Sequence, residues 1–266
     1  MSDEVAKTDE ASTAVAIPTE PVDGLEDFDT TDIVMPRIGI DHGEAMFKNN
    51  LTGETFDSLE IIALGLIKQR ILWPAVIEEG DQLPLCKAVD GKVGLPDVAN
   101  FPWKESGFAE KSGDDVKLDC SACALKEWES HPNNETPWCS EQFTLAILMP
   151  VDGPDGVGYS PAIFTVQRSG VKQVRSYISD FANKRTPLYT TVTTVSLEAR
   201  KRGSVTYAIP KFVKGSETDR DSWPDFAQKY RDLREFLHTP VGLQTAASAE
   251  GYGDGNAQPA PATADA

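Results

Sequence analysis

Leu59-Glu60-Ile61-Ile62-Ala63-Leu64-Gly65-Leu66-Ile67-Lys68-Gln69-Arg70-Ile71-Leu72-Trp73 is the stretch on which the fold turns. Its isoleucine content favours an extended strand, with a helix as the alternative reading. Gly65 interrupts the run and marks a bulge or bend.

Toward the N-terminus, Ile33-Val34-Met35-Pro36-Arg37-Ile38-Gly39-Ile40 alternates as a second strand, which Pro36 pushes toward a sheet edge. Residues 1–32 are rich in Asp, Glu, Thr, Ala and Pro and are expected to be a disordered acidic segment. Toward the C-terminus, residues 74–142 show little periodicity and hold all four cysteines. A structureless loop of that length does not suit a compact domain, so something else must organise it. Strands are predicted over 143–149 and 161–168, joined by the Asp152-Gly153-Pro154-Asp155-Gly156 turn. A helix follows over 171–183, with Val171, Val174, Ile178 and Phe181 on one side and Lys172 and Arg175 off it. Thr186-Pro187 ends it. The clearest hairpin joins a strand over 189–198 to one over 203–209 through Arg200-Lys201-Arg202-Gly203. Another helix covers 225–237, and 241–266 is an Ala-, Gly- and Pro-rich flexible tail.

This order predicts a mainly β protein with helices (α+β). A helix between the third and fourth strands and a hairpin after it match an oligonucleotide-binding (OB)-like antiparallel barrel, if one strand is extra or two segments form one bent strand. The ordered domain spans 33–240 and includes an insertion over 74–142. The alternative is some other small antiparallel α+β fold.

The insertion explains itself through Cys120-Ser121-Ala122-Cys123, joined by Cys86 and Cys139. Two cysteines separated by two residues turn both sulfurs toward one point, and the other two complete a tetrahedral thiolate set. Cys86, Cys120, Cys123 and Cys139 are therefore candidate ligands of a structural zinc that staples the insertion. Disulfides, free thiols and a redox site are the competing readings.

Charge is unevenly distributed. The net charge is −17, yet residues 1–33 hold ten acids and one base, while 168–214 hold ten bases and two acids. An acidic chain with a basic stretch of about +8 suits an anionic partner on one face. Arg168, Lys172, Arg175, Arg200, Lys201, Arg202 and Lys211 are candidate phosphate contacts, and Tyr189, Tyr207 and Trp73 candidate platforms for stacked bases. Phe47, Trp103, Trp128 and Trp138 are further aromatics to weigh. A solvated basic face with no partner is the plain alternative. The chain has no apolar run of membrane-spanning length and no signal peptide at its start, so an intracellular protein is expected.

An enzyme is the remaining class. His42-Gly43-Glu44 with Cys120-x-x-Cys123 approaches the pattern of zinc deaminases, but Asp119 stands where their proline precedes the cysteine. No phosphate-binding glycine motif is present.

The chain resembles a family of zinc-containing proteins encoded by tailed phages of actinobacteria. The resemblance is carried by residues 64–73, Phe101-Pro102-Trp103, Cys120-x-x-Cys123 with Lys126-Glu127-Trp128, and Cys139-Ser140-Glu141-Gln142. Further on, Gln167-Arg168-Ser169-Gly170 and Arg202-Gly203-Ser204-Val205-x-Tyr207 extend it across 33–238. That group is similar in plan to phage single-stranded DNA-binding proteins, which are acidic, barrel-based and sometimes zinc-stapled. The resemblance implies a non-catalytic single-stranded DNA-binding protein of phage replication or recombination, acting in the host cytoplasm. Phage or host replication and recombination proteins are its implied protein partners. A regulatory protein that binds a recombinase or replication protein, and a zinc-dependent nucleic-acid enzyme, are the alternatives.

Overall fold

The computed structural model describes residues 34–76, 83–113, 115–133, 135–153, 156–203 and 205–237. The segment 1–32 and the tail 241–266, both expected to be disordered, lie outside the described residues, as do Ile33 and His238.

The early strands are β1 (Arg37–Asp41), β2 (Met46–Asn49), β3 (Thr55–Phe56) and β4 (Ser58–Leu72). The insertion contributes β5 (Cys86–Ala88), β6 (Val93–Pro96), α1 (Trp103–Ser106) and β7 (Leu118–Asp119). Then come β8 (Cys139–Gly153), β9 (Gly156–Gln167), α2 (Val171–Lys184), β10 (Thr191–Arg202), β11 (Val205–Glu217) and α3 (Trp223–Leu237). The protein is mainly β with helices, as expected, and β4 is its hub.

One edge of β4 carries β8 from Ile62 to Leu72. Its other edge carries β10 at residues 58–62 and β5 at 70–72. The register with β8 slips between Ala63 and Gly65, which is the bulge expected there. A one-residue slip exchanges the two faces of a strand. Accordingly Leu59 and Ile61 share a core with Leu66, while Ile62 and Leu64 share the opposite core with Ile67. The first core gathers Phe143, Leu145, Ile147 and Phe164 under Val171 and Val174 of α2. The second gathers Ala146, Leu148 and Ile163 under Phe226 and Leu233 of α3. A strand covered on both faces needs no polar face, which is why the run is apolar almost throughout.

The sheet is mixed and open, in the order β3-β2-β1-β9-β8-β4, with β10 and β11 branching from β4. The expected closed antiparallel barrel is not formed: among the described residues no ladder joins β9 to β11. A strand has two edges, and those of β9 are taken by β8 and, at Ile163 and Phe164, by β1 running parallel. β1, the strand that forms within the segment expected over 33–40, is thus paired on both sides and is not an edge strand. Residues 74–142 are also more regular than their sequence suggests. Among the described residues they contribute β5, β6 and β7, and Phe101, Leu118 and Leu125 form a small core with Leu72 of β4.

β11 meets the β1–β2 turn through a hydrogen bond, in which the Ala208 N–H donates to His42 Nδ1 at 3.1 Å. Burial and the nearby Arg168 hold His42 below its ordinary pKa, with Asp41 pulling the other way. A histidine shifted down on folding contributes stability that is full above its unfolded value and lost as the pH falls through its folded value. Melting temperature should therefore fall as the pH drops below about 6.5. His42→Asn should flatten that part of the profile; superposable profiles for the two proteins would contradict this role.

Candidate metal centre and nucleic-acid interface

Leu72 ends β4 between two cysteines: it pairs with Cys86 of β5 on one side and Cys139 of β8 on the other. Directly opposed residues project from the same face of a sheet, so β4 brings these two sulfurs to one side. Cys120 and Cys123 arrive from a tight loop after β7. The Ser121 N–H donates to Asp119 Oδ1 at 2.8 Å, and the Cys120 N–H donates to the Lys92 carbonyl at 2.8 Å.

All four cysteines line one cavity of about 20 Å³, with Arg70, Gly94 and Lys126 among its other walls. That volume suits one small ion or one water. Gly94 leaves the room: a Cβ there would stand 2.8 Å from Cys86 Sγ and 3.7 Å from Cys120 Sγ. No disulfide links the cysteines. Among the described residues no three His, Cys, Asp or Glu groups already stand close enough to grip a metal, so an ion would have to draw the sulfurs inward from the cavity wall.

Burial, and then the neighbouring sulfurs, push the Cys86 thiol far above its ordinary range. Burial pushes Cys139 up to about 12, against the pull of Arg70. Burial also raises Cys120 and Cys123. Neutral buried thiols are poor nucleophiles, whereas a divalent cation can displace their protons. His42 and Glu44, the rest of the deaminase-like set, belong to the β1–β2 turn and do not line this cavity.

The basic residues are spread more widely than their sequence clustering suggests. Arg200, Lys201 and Arg202 run within β10 rather than in the hairpin loop, because Arg202 already pairs with Val205. Neighbouring residues of a strand point to opposite faces. Arg200 therefore shares a face with Tyr207, its cross-strand partner, while Lys201 continues the side of Val195 and Leu197. Of Arg202 only the backbone is described.

Several bases are already engaged. Arg175 pairs with Glu141 at 2.9 Å and Arg200 with Glu198 at 3.0 Å. Lys184 and Lys214 both reach Asp180, which these hydrogen bonds hold below the usual carboxylate range. Lys172, Lys201 and Lys211 are exposed and make no ion pair among the described residues. Gly170 packs against Pro210, which sets the first turn of α2, with Lys172, beside the strand that carries Lys211. Arg168 follows the last residue of β9 at a positive φ of 48°, near His42.

Of the expected stacking residues, Trp73 is buried at 8% exposure. Tyr189 packs its ring on Trp223 and Phe226. Both burials follow from long-range packing that local composition does not reveal. Tyr207 is half-buried on the hairpin. Trp128, at 74% exposure, stands in solvent beside the cysteine loop. Phe47 is fully buried in the first core, and Trp138 donates its ring N–H to the Trp73 carbonyl.

Arg70, Lys126 and Glu141 did not emerge as site residues from the sequence. Their signal is register: Arg70 lies two residues before the Leu72–cysteine pairs and on their face of the sheet, which only the strand pairing reveals. Compared with family models, curated proteins and solved structures, the chain matches none.

Proposed function

We propose that this chain is a non-catalytic single-stranded DNA-binding protein with an OB-like core and a structural zinc held by Cys86, Cys120, Cys123 and Cys139. The observation that carries the DNA reading is the set of exposed, unpaired lysines Lys172, Lys201 and Lys211, with Arg200, on the hairpin and helix that follow the third core strand. The OB-like reading is supported by the order β4, β8, β9, α2, β10, β11, in which the first and fourth strands, β4 and β10, pair antiparallel and the helix falls between the third and fourth strands. β1 then stands where the closing strand of a barrel would pair. Trp128 is the exposed aromatic available for stacking, at about 1–3 kcal/mol per base, and half-buried Tyr207 lies across the ladder from Arg200. Four thiolates fill the coordination shell of zinc and leave no position for an activated water, which supports a stapling role over catalysis. The motif resemblance points to phage DNA replication or recombination as the setting. No helix among the described residues is long and apolar enough to cross a membrane.

Titration of a labelled oligonucleotide at increasing salt tests the reading. Binding should weaken with salt, with a logarithmic slope of about −0.7 per phosphate contact. The triple variant Lys172→Ala, Lys201→Ala, Lys211→Ala should make that slope shallower by about 2. Absence of binding at low salt, or affinity indifferent to salt, would overturn the proposal and favour a regulatory protein that binds a protein partner.

A further inference from the structure

We propose that Arg70 and Lys126 are the counter-cations of the cysteine centre, offsetting the negative charge that four thiolates leave around a divalent ion. The inference rests on the metal reading of that site. Four thiolates and a divalent cation leave two negative charges, and these two side chains supply two positive ones. Both line the cavity together with the four cysteines.

Arg70 is placed there by register. It pairs across the sheet with Ala88 on one side and Glu141 on the other, two residues before Leu72 and so on the same face as its two cysteine partners. Its charge acts on Glu141, but the oxygens of that carboxylate are held by other cations: Lys68 Nζ lies 2.6 Å from Oε1 and Arg175 Nη2 lies 2.9 Å from Oε2. The guanidinium of Arg70 is left to face the sulfurs, where a half-buried cation is stable only beside negative charge. Lys126 reaches the cavity from the other side. It ends the turn after Cys123 and donates to the Ser121 carbonyl, so its ammonium is clamped across the Cys120–Cys123 loop. Its carboxylate contact, Glu127, is longer, at 3.6 Å.

Groups that surround a metal's ligands typically alter affinity by about 10–100-fold when removed. In a competition against a chromogenic chelator, Arg70→Met should release Zn²⁺ about 10–100-fold more readily than wild type. Arg70→Lys should recover most of that loss, and Lys126→Met should lose several-fold. Lys117→Met, an exposed lysine of the same insertion that does not line the cavity, should match wild type. With Co²⁺ as the probe, Arg70→Met should shift the sulfur-to-metal charge-transfer band to lower energy, because thiolates without their cation give up electrons more easily. Purely structural damage would not move that band. If wild type holds one metal and both methionine variants hold it equally well with an unshifted band, the counter-cation role is overturned while the metal reading stands. If elemental analysis finds no metal in wild type, both fall. Should Arg70→Met fail to fold, the more exposed Lys126→Met decides between the outcomes.

Discussion

Cys120→Ser, or exhaustive chelation of the wild-type chain, should free the insertion for proteolysis while β8 to β11 stay protected. The reason is the size of the insertion's own core, which buries Leu72, Phe101, Leu118 and Leu125, the first of them borrowed from β4. Each such side chain contributes about 1.5–3 kcal/mol. Ordering backbone costs about 1–2 kcal/mol per residue, and β5, β6 and β7 are too short to offset it across a segment of this length. A structural zinc site adds about 10–16 kcal/mol and becomes the deciding contribution. Hydrogen exchange of the amides of Leu118 and Cys120, compared with those of Ile147 and Phe164, separates the two regions. Full protection of the insertion in both the serine variant and the chelated protein would mean that the sulfurs are ordinary core thiols.

Gly65→Ala should lower stability by about 1–3 kcal/mol, a large effect for one methyl group. The added carbon would fall 2.1 Å from Tyr230 Cε2 and 2.4 Å from its Cζ. The Tyr230 hydroxyl also donates to the Leu66 carbonyl at 3.3 Å, so α3 is fastened to the strand at the bulge itself. To admit the methyl, the ring must swing out or the helix must lift from Ile62, Leu64 and Leu148. Tyr230→Ala removes the obstacle, so the double variant should be less unstable than the sum of the two single changes. Additive losses in chemical denaturation would show that the ring does not occupy that space.

The strand at 59–73, its bulge, the 143–168 hairpin and both long helices were legible in the sequence. Each is written in a local pattern: β-branched runs for strands, the Val171, Val174, Ile178, Phe181 spacing for α2, and a glycine within an apolar run for the slip. The membership of the cysteine set was legible too, because a pair two residues apart and two companions leave few alternatives for four sulfurs. Charge clustering, by contrast, misplaced the basic surface. Arg200 and Lys201 are adjacent in the chain but lie on opposite faces of β10. Arg175 is bound to a carboxylate that lies 34 residues away in sequence.

What the tertiary structure alone decided is which strand edges meet and which charges thereby become neighbours. No local pattern announces that β1 will pair with β9 and leave β11 without that edge. Nor does any announce that Tyr189 will lie beneath α3, or that Arg70 will share a sheet face with two cysteines. Periodicity records only which side chains of one segment share a face. Partners are chosen by burial and pairing between segments far apart in sequence, and at the end of β4 that choice puts Leu72 between Cys86 and Cys139.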